Sequence, residues 1–192
     1  FQAWGLAELG ELRRAEAAGR LGMELAEQAK HGYSISVASF GLATGYLASE
    51  QWDAAIAVLG RGLEQMELHG VNAAFGWVGA RLAYAFAAAG RVEDARMLLA
   101  RVQEPTILDA MPDAGFLAYL GLALLLIGSR EEAADLGRRS LEASRRISEF
   151  GSATLALRLL GEAALRQDPP DLAAAEAHFR AGLEQAEALG MR

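Results

Sequence analysis

The sequence predicts an all-α protein, a right-handed α-solenoid of about five helix-turn-helix units. Three observations point there. Apolar residues make up 53% of the 192 positions, mostly as alanine and leucine, while aromatics are only 7%. Alanine and leucine are strong helix formers, and the β-branched and aromatic residues that fill strands are sparse. A block of residues then recurs along the chain, and glycines fall between the blocks where helices of that length have to end.

The recurrence is clearest from Trp52-Asp53-Ala54-Ala55-Ile56-Ala57-Val58-Leu59, followed by Gly62-Leu63-Glu64 and His69-Gly70. Ala95 with Leu99 repeats Ala55 with Leu59. Ala133 precedes Ser140-Leu141, and Ala175 precedes Phe179 and Gly182-Leu183-Glu184. Upstream, Ala17 leads to Leu21, Glu24-Leu25 and His31-Gly32. The anchors 17, 55, 95, 133 and 175 are separated by 38, 40, 38 and 42 residues, a period typical of helical repeats. About twelve residues before each anchor stands a large residue followed by a small one: Trp4-Gly5, Leu42-Ala43, Leu82-Ala83, Leu120-Gly121 and, two residues farther off, Leu160-Gly161.

Each unit therefore reads as helix A, a tight turn and helix B, with the small residue of A packed against the anchor alanine of B. The expected helices lie near 2–9, 11–31, 33–49, 52–69, 71–89, 91–103, 113–127, 130–150, 151–167 and 171–189. They group into units near 1–32, 33–70, 71–111, 112–150 and 151–192, a single array read as part of a larger protein because it opens at Phe1 without a methionine. Gly32, Gly70, Gly151 and Gly190 are placed where B helices stop, and Gly90 and Gly128 where A helices stop. Asp53, Glu93-Asp94 and Glu131-Glu132 open B helices, which suits the helix dipole. Gly62, Gly121, Gly161 and Gly182 fall inside helices, where each costs about 1 kcal/mol against alanine; their recurrence argues for close helix contact. Glu104-Pro105-Thr106 shortens the third B helix, and Asp109 or Asp113 is a candidate N-cap for the helix after the loop.

These residues resemble the tetratricopeptide repeat (TPR) superfamily, whose pattern sets an alanine twelve residues after a Leu-Gly pair. Leu120-Gly121 with Ala133 and Leu82-Ala83 with Ala95 carry the likeness. The units exceed the common 34 residues, and glycine stands where a proline often closes a unit. The stretch Ala156 to Ala163, then Ala175 to Leu183 and Leu189-Gly190-Met191-Arg192, resembles the C-terminal repeat regions of bacterial adenylate/guanylate cyclase-ATPase and maltose-regulator-type signalling proteins. That resemblance implies a regulatory array and names no ligand.

Composition excludes several functions. Against 25 Asp plus Glu there are 18 Lys plus Arg, a net charge of −7, which repels a phosphate backbone and argues against nucleic acid as partner. The absence of cysteine removes disulfides, thiolate zinc sites and thiol catalysis. The longest apolar run, Ala114 to Gly128, is shorter than the roughly 20 residues a bilayer needs, so no membrane role is expected and the assignment is cytoplasmic. No phosphate loop or His-Glu-x-x-His motif occurs, and no nucleophile, base and orienting group come together. An enzyme is not expected, and neither catalytic residues, cofactor nor metal. His31 and His69 share a repeat position and suit helix C-termini; His178 reads as a solvated or half-buried side chain. Arg138-Arg139 and Arg145-Arg146 share a helix with five carboxylates and read as an exposed, paired face.

The positions that would line the concave face of a TPR-like array are Val37, Phe40, Thr44 and Leu47 in the second unit, Trp77 and Tyr84 in the third, Leu122 and Leu125 in the fourth, and Arg158 and Glu162 in the fifth. All but the last pair are mostly apolar, which marks them as a candidate interaction surface. A tightly wound array buries the same residues against its own neighbours instead. The leading function is a protein–protein interaction or regulatory scaffold module of a multidomain bacterial signalling or transcription-regulating protein. Its partner would be a protein or peptide, another domain of the same full-length protein, or a second copy. The alternative is a small-molecule sensor, with Trp77 and Tyr84 stacking on a sugar.

Overall fold

The computed structural model describes residues 1–70, 75–104, 107 and 113–191. Among them are ten helices and no strand: α1 (Gln2–Glu8), α2 (Leu12–Gln28), α3 (Gly32–Ala48), α4 (Trp52–His69), α5 (Phe75–Ala88), α6 (Val92–Val102), α7 (Ala114–Leu126), α8 (Arg130–Ile147), α9 (Phe150–Leu165) and α10 (Leu172–Ala188). The architecture is an all-α solenoid. Odd-numbered helices are the A helices and even-numbered ones the B helices, and each packs on its partner and on the next unit.

The two classes differ as their surroundings require. Helices α3, α5 and α7 are apolar on nearly every side because units before and behind enclose them. In α7, eleven residues from Ala114 to Leu125 are buried. The B helices have one buried stripe; in α4 it is Ala55, Leu59, Gly62 and Met66. Asp113 caps α7, its side chain accepting a hydrogen bond from the Phe116 N–H at 2.8 Å. Positive φ values at Gly70, Gly90, Gly128 and Gly190 end helices as their sequence positions predict. Asp109, Pro105-Thr106 and the start of the helix expected at 71 lie outside the described residues.

Four of the five anchor alanines are buried: Ala55, Ala95 and Ala133 at 0% exposure and Ala175 at 2%. The first unit departs from the expected register. Ala17 is exposed, and Ala15, at 1%, occupies the anchor position. Its helix-A partner is Ala3 rather than Gly5: Ala3 is buried, while a Cβ on Gly5 would touch nothing within 4 Å. The offset to the second unit is therefore 40 residues, so that α1 and α3 end at Glu8 and Ala48, and α2 and α4 start at Leu12 and Trp52. Chain ends of the B helices shift accordingly. Lys30 (φ 51°) and Ser148 (φ 58°), not Gly32 and Gly151, take the left-handed positions. His31 is the residue before α3 and His69 the last of α4, so the two histidines are not equivalent.

The interior glycines are contact points. A Cβ on Gly62 would lie 2.8 Å from the Ser39 Cβ, one on Gly161 would run into the Phe179 ring at 2.6 Å, and one on Gly121 would collide with Leu159. Ser36 ties the same pair of helices, donating to the Gly62 carbonyl at 2.9 Å.

Candidate functional site

The A helices face a common interior. Phe40, Thr44 and Leu47 on α3, Tyr84 on α5, and Leu122 and Leu125 on α7 converge there, and all six are buried. They do not form the wall of an open groove, as expected from sequence. Trp77 is half-buried; Val37 and Glu162 are partly accessible, and Arg158 is exposed. The cause is the curl of the array. A Cβ on Gly151 of α9 would lie 2.8 Å from Oε2 of Glu8 on α1, so the first and last A helices meet and the inner layer closes on itself.

The closed interior holds a ladder of rings around one cation. Trp4 meets Phe40 edge-on at 5.7 Å, Phe40 lies 6.0 Å from Trp77, and Tyr84 stands 5.7 Å from both Trp52 and Tyr119. Arg81, 3% exposed, has its guanidinium 4.3 Å from the Phe40 ring centre and 4.2 Å from that of Tyr119. Such a sandwich is favourable for a weakly hydrated cation. Its Nη1 donates to the Trp77 carbonyl at 3.3 Å. No carboxylate among the described residues pairs with it within 4.0 Å; Glu8, Asp113 and Glu149 act on it through their field.

Ionisation follows this environment. Burial pushes the Arg81 guanidinium below its ordinary value, against the pull of Tyr119 and the three carboxylates. Burial likewise raises the Glu8 carboxyl, although the Trp4 indole donates to it at 2.6 Å, and raises Glu149. The Tyr84 and Tyr119 hydroxyls are raised for the same reason. Arg81 Nε, Trp77 Nε1 and Glu149 Oε2 are buried with no hydrogen-bond partner among the described residues. At the outer margin Arg158 and Arg166 both pair with Glu162, at 2.8 and 3.2 Å.

Sequence reasoning missed Arg81, Glu8, Tyr119 and Glu149. One signal for Arg81 was present: it is the single charged residue of Phe75–Ala88. Among the described residues no group of His, Asp or Glu is arranged to hold a metal, and no helix is long and apolar enough to cross a membrane.

No family model matches the chain, and no curated protein does. Solved structures do. The crystal structure of a Podosopora anserina putative kinesin light chain with nearly identical TPR-like repeats superposes with a TM-score of 0.53 at 19% identity, covering 97% of this chain and 93% of that one. A single-residue variant of the same protein gives 0.53 at 17% identity over 98% and 92%. The chain folds as TPR-like repeats do. At this identity the likeness concerns the fold alone. The inner face of the array is filled by its own side chains, and large apolar side chains remain exposed near both ends and, between them, at Leu68 and Met97.

Proposed function

We propose that this chain is a non-catalytic protein–protein interaction scaffold, a regulatory module of a multidomain bacterial signalling protein working in the cytoplasm. Its partners would be proteins or peptides, including another domain of the same protein. The observation that carries the reading is the distribution of exposed apolar side chains. Phe1, Leu21, Leu25 and Tyr33 are 74%, 56%, 56% and 42% exposed at one end; Leu165, Leu172 and Leu183 are 42%, 68% and 65% exposed at the other. Apolar patches of this kind mark interfaces. Of the inner-face residues, Val37 at the first end and Arg158 with Glu162 at the second remain available to a partner.

The sugar-sensor reading draws less support. Tyr84 is buried between Trp52 and Tyr119 and Trp77 is half-buried beside Phe40, so the two rings do not form an open stacking platform.

The test is retention of bacterial cytosolic proteins on immobilised array, compared with a Leu172→Glu/Leu183→Glu variant. A protein held by the wild type and released by the variant supports the scaffold. Equal retention on both, or a heat of binding with maltose or maltotriose in calorimetry, counts against it.

A further inference from the structure

An ion pair that ties neighbouring B helices recurs with the repeat. In α4 and α6 the residue six places after the anchor alanine is an arginine, and it pairs with a glutamate twelve places after the preceding anchor: Arg61 with Glu27 at 2.8 Å and Arg101 with Glu67 at 2.6 Å. The pattern breaks on both sides of α8. Arg139 stands six places after Ala133, but the residue twelve after Ala95 is Ile107. Twelve places after Ala133, where a glutamate belongs, is Arg145, and the residue six after Ala175 is Ala181. Helix α8 thus keeps the arginine of one pair and sets a second in place of a carboxylate, with no acid from either neighbouring unit at the matching position.

Pairing within the helix does not replace what is lost. Arg138 and Arg139, with side chains 64% and 53% exposed, share Asp135 at 3.6 and 3.8 Å. Arg145 and Arg146 are exposed and make no ion pair among the described residues. Of the carboxylates on and beside α8, Glu149 turns its Oε2 inward, where its field acts on Arg81, and Glu132 accepts from Gln103. The face is exposed as its sequence predicts, but it is not neutralised. Residues 138–147 hold four arginines and one acid, Glu142, in a chain whose net charge is −7.

We propose that the outer face of α8 is a docking site for an acidic α-helix of a partner protein, lying along α8 with carboxylates seven residues apart. The spacing of the arginines defines the guest. Helix α8 runs unbroken from Arg130 to Ile147, so Arg138 and Arg145 form one row and Arg139 and Arg146 a second, on either side of Glu142. Seven residues are two turns, about 10 Å along the axis. That is also the interval at which two helices lying side by side keep facing each other, so one row of guest carboxylates meets both arginines of a row. A guanidinium can hold each carboxylate by two parallel hydrogen bonds. The stripe from Asp135 to Arg146 is wholly polar, so the attraction is electrostatic and screened by salt. A nucleic acid fits less well: its charge is spread around the whole polymer and meets the acidic remainder of this chain. A helix confines its carboxylates to one stripe.

The inference rests on the scaffold reading and places one binding face within it. Its probe is a fluorescein-labelled, alanine-rich stapled helix with glutamates repeated every seven residues along one face; the control helix has the same glutamates dispersed around it. Titration of the 192-residue chain in low salt should give a saturable rise in anisotropy with the striped helix, about threefold tighter or more than with the dispersed one. Arg138→Gln/Arg145→Gln and Arg139→Gln/Arg146→Gln should each weaken binding about fivefold or more, and Glu142→Gln should tighten it about twofold. Arg13→Gln/Arg14→Gln takes the same charge from α2 and should leave the affinity unchanged. Circular dichroism melts establish that each variant is folded, and either row variant serves if the other is not. Absence of saturable binding, equal binding of the two helices, or an equal loss in the α2 variant overturns the proposal. So does tighter binding of a DNA duplex that the row variants abolish, or a dimer in sedimentation velocity that they abolish, because these assign the face to a nucleic acid or a second copy. Leu172 and Leu183 lie outside this face, so the retention assay and this titration can fail separately.

Discussion

The guanidinium of Arg81 lies 4.2 Å from the centre of the Tyr119 ring and 4.3 Å from that of Phe40, bridging α7 and α3 from its place on α5. A buried cation with no carboxylate in contact among the described residues is held by packing and by a diffuse field. Arg81→Ala removes both and opens a cavity, and should cost about 2–4 kcal/mol in urea denaturation. Arg81→Met keeps the volume between the rings and removes the desolvation cost, and should stay within about 1 kcal/mol of wild type. A methionine variant as unstable as the alanine one would mean that the charge itself, through Glu8, Asp113 and Glu149, holds the inner layer closed.

The carboxyl of Glu8 gives the pH dependence a sign. Its folded pKa is raised above the ordinary 4.5, chiefly by burial, so folding favours its protonated form. Its contribution is then fully present below about pH 4.5 and is lost as pH rises through the folded value. Glu149 is raised for the same reason and acts in the same direction. Glu8→Gln keeps an acceptor for the Trp4 indole and removes the titration. Melting temperatures of the variant and the wild type should coincide near pH 4 and diverge toward pH 7.5, with the variant higher. A variant that melts lower at pH 7.5 would show that attraction to Arg81 outweighs burial.

Two kinds of interior glycine should respond oppositely. Gly121 meets Leu159, Leu136 and the Ala133 carbonyl, whereas Gly60 has nothing within 4 Å of a Cβ. Gly121→Leu or Ala133→Leu should destabilise by about 1–3 kcal/mol through overpacking. Gly60→Ala should stabilise by about 0.5–1 kcal/mol, because helix propensity is all that changes. Thermal melts of the three variants decide it.

Helix positions were legible because each stop is local: a glycine at Gly70, Gly90 or Gly128 fixes an end whatever surrounds it. The first register was not. In an alanine-rich helix, Ala15 and Ala17 offer equal local chemistry, and Leu21 imitates Leu59. What separates them is Leu42, which packs so closely on Gly19 that a Cβ there would sit 2.8 Å from the Leu42 Cα. The closing of the inner face was also invisible, since it depends on the rotation accumulated over four units until Glu8 reaches Gly151. Sequence periodicity reports which residues share a face, and it is silent on how tightly that face is curled.

That curl changes what the aromatic residues should do when they are removed. From sequence, Trp77→Ala with Tyr84→Ala is expected to weaken binding and leave the array folded. Tyr84 is 6% exposed and lies 5.7 Å from Trp52 and from Tyr119, and the Trp77 ring lies 6.0 Å from that of Phe40. Truncating a buried aromatic costs about 3–5 kcal/mol, a large share of the 5–15 kcal/mol that holds a domain together. Tyr84→Ala alone should therefore lower the melting temperature steeply, and the double variant should lose cooperative unfolding. Arg158→Ala removes a side chain that is 51% exposed and paired with Glu162 at the margin, where an ion pair contributes about 0–1 kcal/mol, and its melt should stay close to wild type. Circular dichroism melts of the three proteins separate the two pictures. A stable Tyr84→Ala would return the inner face to the surface of the molecule and reopen it as the place where a partner binds.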